Sequence, residues 1–569
     1  MRARSIRLIP SLALLAAVPV WAQTPAFTNS NDVDSVLPRA NLPVEELRPR
    51  EAEVRLPTTQ PQPRQAMAAV RLQGVLIEGG TVYPFEEIAA LYQPLIGRTV
   101  ALSDVLAVTQ KITQRYQADG YALSYAFVPA QDLRSGQVRV VLVEGYISVH
   151  EARGDIGRAQ GYIDQLAAKL VGERPLRRES FQRYTTLMAQ MPGVKVRASV
   201  APPSTTDGAV TLVTEATRQP FATNASINDG SQDSFQAVLG VSSNSQTALG
   251  EQVSVSTLAP EGEDRERYAR IDYSQFINAE GTRLQAFAST YRSEPEDRVA
   301  IGAAQTELAR RNDRVSVGVK HPIRLAGGEI LSATARLYGV DDERKFTRVE
   351  PQPVIKDALE LESKVRVLAL EGEQRTAKQG QLRVLGAGVY QGLNTLGADY
   401  RLTVLGNQVE PGSKPDLDFL RLRLNALESN QFGGAWQGVA SGVLYWSEDT
   451  LPESEQVLFG DRNFGRGYSE DQARGDKGWG LSYELNRTFN REGTWVRMLQ
   501  PYAVLDKSRT WYNESGNAAN LSSLALGMRF GDRKYYNLAV EAAKPLGDKA
   551  IDTNNREPRV GFTLNYDLR

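Results

Sequence analysis

The stretch Val560-Gly561-Phe562-Thr563-Leu564-Asn565-Tyr566-Asp567-Leu568-Arg569 decides how the rest of the chain is read. In an extended strand, Val560, Phe562, Leu564, Tyr566 and Leu568 fall on one face, and Gly561, Thr563, Asn565, Asp567 and Arg569 on the other. The same period of two recurs upstream. Leu524, Leu526, Met528 and Phe530 alternate with Ser523, Ala525, Gly527 and Arg529. Trp479, Leu481, Tyr483 and Leu485 alternate with Gly480, Ser482, Glu484 and Asn486, and Leu420, Leu422 and Leu424 with Arg421, Arg423 and Asn425. From about residue 221 onward helical periodicity is absent, and such segments are the pattern of a transmembrane β-barrel. A β-sandwich alternates too. Two observations favour the barrel. Charges such as Glu484, Arg421 and Arg529 sit well inside the polar faces, as a wet lumen permits. Short connections at 279–281, 326–328 and 491–493 alternate with long polar ones, as the two ends of such a barrel do.

The alternating segments between residues 218 and 569 number 16. At about 22 residues per strand and loop, strands of about 9–11 residues are expected. Pairing of the first strand with the last would leave no bare edge in lipid. The final residue is Arg569, where such barrels usually end in an aromatic; Tyr566 is the nearest.

Composition narrows the chemistry. Net charge is −1 over 569 residues, so no electrostatic footprint for nucleic acid appears. There is no cysteine, which excludes disulfides and thiol catalysis. Only His150 and His321 are available, far apart and without a nucleophile or ligand spacing nearby, so each is expected as a strand-end or interface residue. No P-loop, G-x-S-x-G or metal spacing occurs, and no cofactor, metal or enzymatic activity is expected. Arg2, Arg4 and Arg7, the apolar run 8–20 and Val20-Trp21-Ala22 make residues 1–22 a secretory signal peptide by pattern. No later stretch approaches the roughly 20 apolar residues a membrane helix needs. The exported chain is therefore either soluble or inserted as strands.

Residues 23–66 are polar and punctuated by seven prolines, the composition of a linker. Within it, 43–55 is charged enough to form a short plug helix, though Pro49 interrupts it. Two tandem α+β modules follow. In the first, expected at 67–144, a strand with Val70, Leu72, Val75 and Ile77 ends at Gly79-Gly80. A helix with Ser103 as its N-cap carries Val105, Val108, Ile112 and Tyr116 on one face and ends at Gly120. Strands at 121–129 and 138–143 complete it. The second, expected at 145–217, repeats the order strand, helix, helix, strand, strand, with Tyr162, Leu166 and Leu170 on one helix and Phe181, Tyr184, Leu187 and Met191 on the other.

These modules carry a family resemblance. The pieces Gly120-Tyr121, Val128-Pro129-Ala130-Gln131-Asp132-Leu133 and Val143-Glu144-Gly145-Tyr146-Ile147 resemble the POTRA domain of two-partner secretion outer-membrane transporters, the haemolysin secretion/activation proteins of ShlB/FhaC/HecB type. Met191-Pro192-Gly193-Val194 resembles the helix end of that family's second POTRA domain. The resemblance spans about residues 69–569 and implies periplasmic POTRA modules followed by a 16-stranded outer-membrane barrel at 218–569. It further implies a client, a large secreted β-helical adhesin or cytolysin, captured through its N-terminal secretion domain. Val128, Pro129, Gln131, Asp132 and Leu133 become candidate client-binding residues. Outer-membrane lipid is the other expected partner; nucleotide and nucleic acid are not. An outer-membrane assembly factor, a passive porin-like barrel and a secreted carbohydrate-active β-enzyme are the competing readings.

The candidate site is Phe464-Gly465-Arg466-Gly467-Tyr468, inside the polar run 461–477. Glycines on both sides of Arg466 suggest a tight turn that presents the guanidinium, a fork of donors suited to a carboxylate. By resemblance, this loop folds into the barrel and its arginine meets a wall carboxylate, here Asp506 in Pro501-Tyr502-Ala503-Val504-Leu505-Asp506. Gly465 stands where the family usually has valine. If Asp506 faces the lumen, strict alternation turns Tyr502 and Val504 there too, unless a bulge intervenes.

Overall fold

The structure, a computed structural model, describes residues 53–55 and 69–568, apart from 202, 204, 230–234, 260–264, 296–297, 302, 411–413, 462–463, 470–471 and 494. The signal-peptide stretch, most of the linker and Arg569 lie outside the described residues.

In the first module, strand Gly74–Glu78 pairs in parallel with Gln137–Val143, which pairs antiparallel with Tyr125–Phe127. Two helices cover the sheet, α1 (Phe85–Ala90) and α2 (Leu102–Ala118). Helix α2 buries Val105, Ile112 and Tyr116, the stripe its spacing predicts, against Leu72, Val138 and Val140. Its start differs from the expected Ser103 cap. The helix begins at Leu102, and the Asp104 carboxylate accepts the Ala101 N–H at 3.2 Å. An acidic side chain in the first turn thus satisfies the orphan donor. Gly120, at φ 92°, ends the helix in a conformation that favours glycine.

The second module packs α3 (Gln160–Ala168) and α4 (Arg178–Ala189) on a sheet whose order is 53–55, Val194–Val200, Ala209–Arg218, Tyr146–Arg153. The edge strand comes from the linker. Glu53–Arg55 pairs in parallel with Arg197, Ala198 and Ser199. These three residues are therefore extended rather than part of a plug helix; the remainder of 43–55 lies outside the described residues. His150 and His321 each meet a threonine, Thr214 and Thr282, at 2.9 Å.

The barrel strands are β1 (Phe221–Asp229), β2 (Phe235–Asn244), β3 (Gln252–Leu258), β4 (Arg267–Phe276), β5 (Arg283–Ser293), β6 (Ala304–Ala326), β7 (Glu329–Glu350) and β8 (Ile355–Lys378). They continue as β9 (Gln381–Gly392), β10 (Leu420–Phe432), β11 (Trp436–Ser447), β12 (Lys477–Arg487), β13 (Met498–Trp511), β14 (Ala518–Gly531), β15 (Tyr536–Pro545) and β16 (Arg559–Leu568). Each pairs antiparallel with the next, and β1 closes on β16 through Thr223↔Leu568 to Asn228↔Thr563. The alternation resolves as expected. Leu481, Leu505, Leu524 and Leu526 point outward, while Glu484, Asn486, Ser523 and Arg529 are buried inside.

Strand length departs from the expected range. β6, β7 and β8 have 23, 22 and 24 residues. At about 3.4 Å per residue such strands run well past a hydrocarbon core of about 30 Å. Their distal halves are held by ion pairs instead of apolar contact, among them Arg310–Asp342 at 3.5 Å and Lys345–Glu360 at 3.4 Å.

The second module seats against the short turns of the barrel and so fixes which end is periplasmic. Tyr162 stacks on Phe276 with centroids 4.5 Å apart, and its hydroxyl donates to the Asn278 carbonyl at 3.0 Å. Lys169 pairs with Glu280 at 3.0 Å, and Arg183 donates to the Glu280 carbonyl at 3.0 Å. A Cβ on Gly281 would stand 2.3 Å from Leu187, so glycine is what lets α4 approach this turn.

Candidate functional site: a loop inside the barrel

Residues 448–476 connect β11 to β12 at the end opposite the modules. Their stem is a small antiparallel pair, Val457–Phe459 with Ala473–Gly475. Asp476 fixes the base by accepting the Leu451 N–H at 2.9 Å and the Asn513 N–H at 2.8 Å. The tip closes through Tyr468 N–H to the Gly465 carbonyl (2.9 Å) and Asp461 N–H to the Tyr468 carbonyl (3.2 Å).

The glycines serve a different purpose from the tight turn their spacing suggests. Left-handed backbone falls on Asp461 (φ 45°) and Phe464 (φ 61°), not on Gly465 or Gly467. Close approach is what requires them. A Cβ on Gly467 would lie 2.5 Å from the Pro545 nitrogen, and one on Gly465 would lie 2.9 Å from Leu521 Cδ1 and 3.0 Å from Gly460 Cα. Phe464 anchors the tip. Its ring lies where Gly480 lacks a side chain, and it meets Phe459 edge-on at 5.7 Å. The Tyr468 hydroxyl donates to the Asp548 carbonyl at 3.0 Å and accepts the Gly547 N–H at 3.0 Å.

Arg466 is buried, and its guanidinium Nη1 donates to Glu541 Oε2 on β15 at 2.5 Å. Asp506 on β13 holds the same residue differently. Its Oδ2 accepts the Arg466 backbone N–H at 3.3 Å, and its Oδ1 accepts the Ser523 hydroxyl at 2.6 Å. The expected guanidinium–Asp506 ion pair is thus replaced by a main-chain contact, and the charge partner is Glu541. The reason is placement. The backbone of the tip lies over β13, where Ser508 also donates to the Phe464 carbonyl at 2.5 Å, and the long side chain reaches on to β15. Tyr502, Gly527 and Glu541 are cross-strand neighbours in one row beneath it.

The register question resolves without a bulge. β13 runs in unbroken register with both neighbours, and Tyr502, Val504 and Asp506 are all buried on the inner face. The loop itself gives these side chains an interior to pack into. Below it, Arg529 makes a two-pronged pair with Glu484 at 2.8 and 2.7 Å, receives Tyr502 against its guanidinium at 3.8 Å, and donates to Gln500 at 2.9 Å. Charges that the sequence places in a wet lumen are here paired out of water.

The candidate client-binding residues are engaged within their own module. Gln131 donates to the Arg139 carbonyl at 2.9 Å and accepts the Arg139 N–H at 2.7 Å, mimicking a strand neighbour. Val128 and Leu133 pack against the module core. Asp132 accepts the Arg134 side chain at 3.0 Å, and Pro129 lends its carbonyl to Gln131 at 3.3 Å. Sequence reasoning missed Glu541, Ser508 and Ser523. Inward alternation places Ser523 with Arg529, but Glu541 has no nearby motif to single it out.

Comparison with known proteins agrees with this architecture. The description "POTRA domain, ShlB-type" matches residues 70–145, and "Haemolysin secretion/activation protein ShlB/FhaC/HecB" matches residues 361–530. The second match contains Arg466 and Asp506 and ends before Glu541. The heme/hemopexin transporter protein HuxB of Haemophilus influenzae (strain 86-028NP) is 20% identical over 491 residues, covering 83% of this chain and 82% of HuxB. CdiB from Escherichia coli shares the fold with a TM-score of 0.68 at 16% identity, covering 92% of this chain and 95% of CdiB. CdiB from Acinetobacter baumannii gives 0.61 at 13%, covering 95% and 97%. With a closed barrel, the second module seated at its periplasmic turns and a motif loop held inside, the chain is an outer-membrane transporter of the two-partner secretion type, similar to the ShlB/FhaC/HecB proteins over residues 70–145 and 361–530.

Proposed function

We propose that this transporter captures an unfolded β-helical adhesin or cytolysin by its N-terminal secretion domain and threads it through the lumen, with the loop carrying Arg466 as the obstacle that must yield. The observation that carries the reading is the buried tip, held to β13 and β15 by Asp506, Ser508 and Glu541. A pore left permanently open would not need that contact.

Capture is assigned to a sheet edge. An extended client adding as a strand gains main-chain hydrogen bonds without needing a fixed sequence. The Val194–Val200 strand already accepts a strand of this kind, since Glu53–Arg55 pairs there in parallel. The Val128–Leu133 segment is braced by Gln131 against Arg139 and presents the exposed Asp132 beside Arg134 as its client-facing group. No nucleotide pool exists outside the inner membrane, so direction comes from client folding at the cell surface.

The test is export of a partner. Cells carrying this chain and a large secreted β-repeat protein with an intact N-terminal secretion domain should release that protein to the surface or medium. Deleting the secretion domain should abolish release. A partner that stays periplasmic whether or not this chain is present would refute the reading.

A further inference from the structure

The motif tip is one of two places where the 448–476 loop is fastened. The other is an acidic turn, Glu453–Glu455, one turn of 3-10 helix just before the loop stem. Glu455 is buried against a different part of the wall. Its carboxylate accepts the Tyr338 hydroxyl of β7 at 2.9 Å and pairs with Arg421 Nη2 of β10 at 3.1 Å. Arg421 Nη1 also donates to the Glu455 main-chain carbonyl at 3.0 Å. The two side chains are 0% and 2% exposed. The Arg421 guanidinium lies 4.4 Å from the Tyr390 ring of β9. Glu453 pairs with Arg344 of β7, which in turn is held by Asp342 at 3.0 Å.

The geometry of the barrel separates these contacts. The acidic turn rests on β7 and β10, and the Arg466 tip rests on β13 and β15. In the ring of 16 strands β7 and β15 are half a circumference apart, and β10 and β13 are three strands apart. The loop, whose stem lies along the wall, is therefore fastened to two separate arcs of the barrel. Releasing the tip alone leaves the acidic turn fastened, so the loop is still held inside the barrel.

We propose that Glu455 and Arg421, with Tyr338 and the Glu453–Arg344 pair beside them, form a second latch of the lumen loop, and that client passage requires this latch to release as well as the Arg466 tip. The proposal rests on the reading of the loop as a mobile obstacle. Chemistry supports a latch over a fixed scaffold. A buried carboxylate–guanidinium pair is strong only while both partners stay desolvated, so entry of water or a polar chain weakens it sharply. Apolar packing between the same surfaces would not respond in this way.

The chain lacks cysteine, so introduced thiols are unambiguous. In the full-length protein, cysteines replace Arg421 and Glu455 and are bridged with a cleavable bismaleimide; heat-modifiability on gels verifies barrel folding. The bridged protein should lose at least about tenfold in client export and regain it on cleavage of the bridge, since a tenfold change needs only about 1.4 kcal/mol of closed-state stabilisation. In planar bilayers, Glu455→Gln with Arg466 intact should raise the open fraction, and the swap Arg421→Glu with Glu455→Arg should lower it again. Complete bridging with export unchanged overturns the second latch, as does a Glu455→Gln channel indistinguishable from wild type. Arg466→Ala run alongside separates the two ideas: if it exports normally, the obstacle reading itself fails; if it is defective while the bridged protein exports, only the second latch fails.

Discussion

Gly467 and Gly465 show how a residue can be legible for one reason and needed for another. Glycine on either side of arginine suggests a turn, yet both positions are dictated by the wall they touch. Gly467→Ala would drive a Cβ into the Pro545 backbone, which has no way to yield, so the tip should lift from β15 and export should fall about tenfold or more with barrel folding unchanged. Gly465→Val, the family's usual residue, should also cost stability here, about 1–3 kcal/mol, because Leu521 and Gly460 fill the space; thermal heat-modifiability measures it. Glu144 offers a test in the first module. It accepts Thr81 N–H (2.7 Å), Thr81 Oγ1 (2.7 Å), Val82 N–H (2.9 Å) and the Tyr116 hydroxyl (3.0 Å). Burial pushes its carboxyl up, but these bonds outweigh it and hold the group below the usual carboxylate range. A lowered native pKa adds stability that is fully present above the unfolded value of about 4.3 and is lost as pH falls through the lowered one. Glu144→Gln should therefore weaken protection of 79–83 in hydrogen exchange at neutral pH and flatten its acid dependence. The partner of Arg466 was not legible at this scale. Glu541 lies 75 residues away, and only the depth to which the tip descends selects it over Asp506.

Among the elements, strands were legible because one face meets lipid and the other does not, so a period of two is enforced wherever the barrel is wet on one side and greasy on the other. Ends were less legible. β6 to β8 continue beyond the bilayer, where ion pairs between neighbouring strands replace apolar contact and the alternation loses its meaning. The linker strand was not legible at all. Glu53–Arg55 has no strand signal of its own and is extended because the Val194–Val200 edge pairs with it. Parallel addition at an edge is worth only a few main-chain hydrogen bonds, each about 0.5–1.5 kcal/mol net. Replacing Glu53, Val54 and Arg55 together by proline removes their donors and should free that edge. If the client pairs there, its secretion domain should bind the full-length variant several-fold more tightly than wild type by titration in detergent. Unchanged affinity would place capture elsewhere.

At the scale of the whole molecule, three parts constrain each other. The second module is seated on the short turns by Tyr162, Arg183 and Leu187, the barrel is closed by β1 on β16, and the 448–476 loop is packed inside it. Closure leaves an extended client no lateral strand edge to exploit without opening the wall, so passage through the lumen depends on the loop. Its tip contact with Glu541 and Asp506 is the point at which the structure and the function meet. The direct measurement is client export by Arg466→Ala in cells where heat-modifiability shows the barrel folded and inserted at wild-type levels. The account predicts that export falls about tenfold or more while insertion is preserved, because a tip that has lost a buried charge pair worth a few kcal/mol no longer keeps its seat on the wall and stays loose in the client's path. Wild-type export from a correctly inserted Arg466→Ala barrel would contradict it.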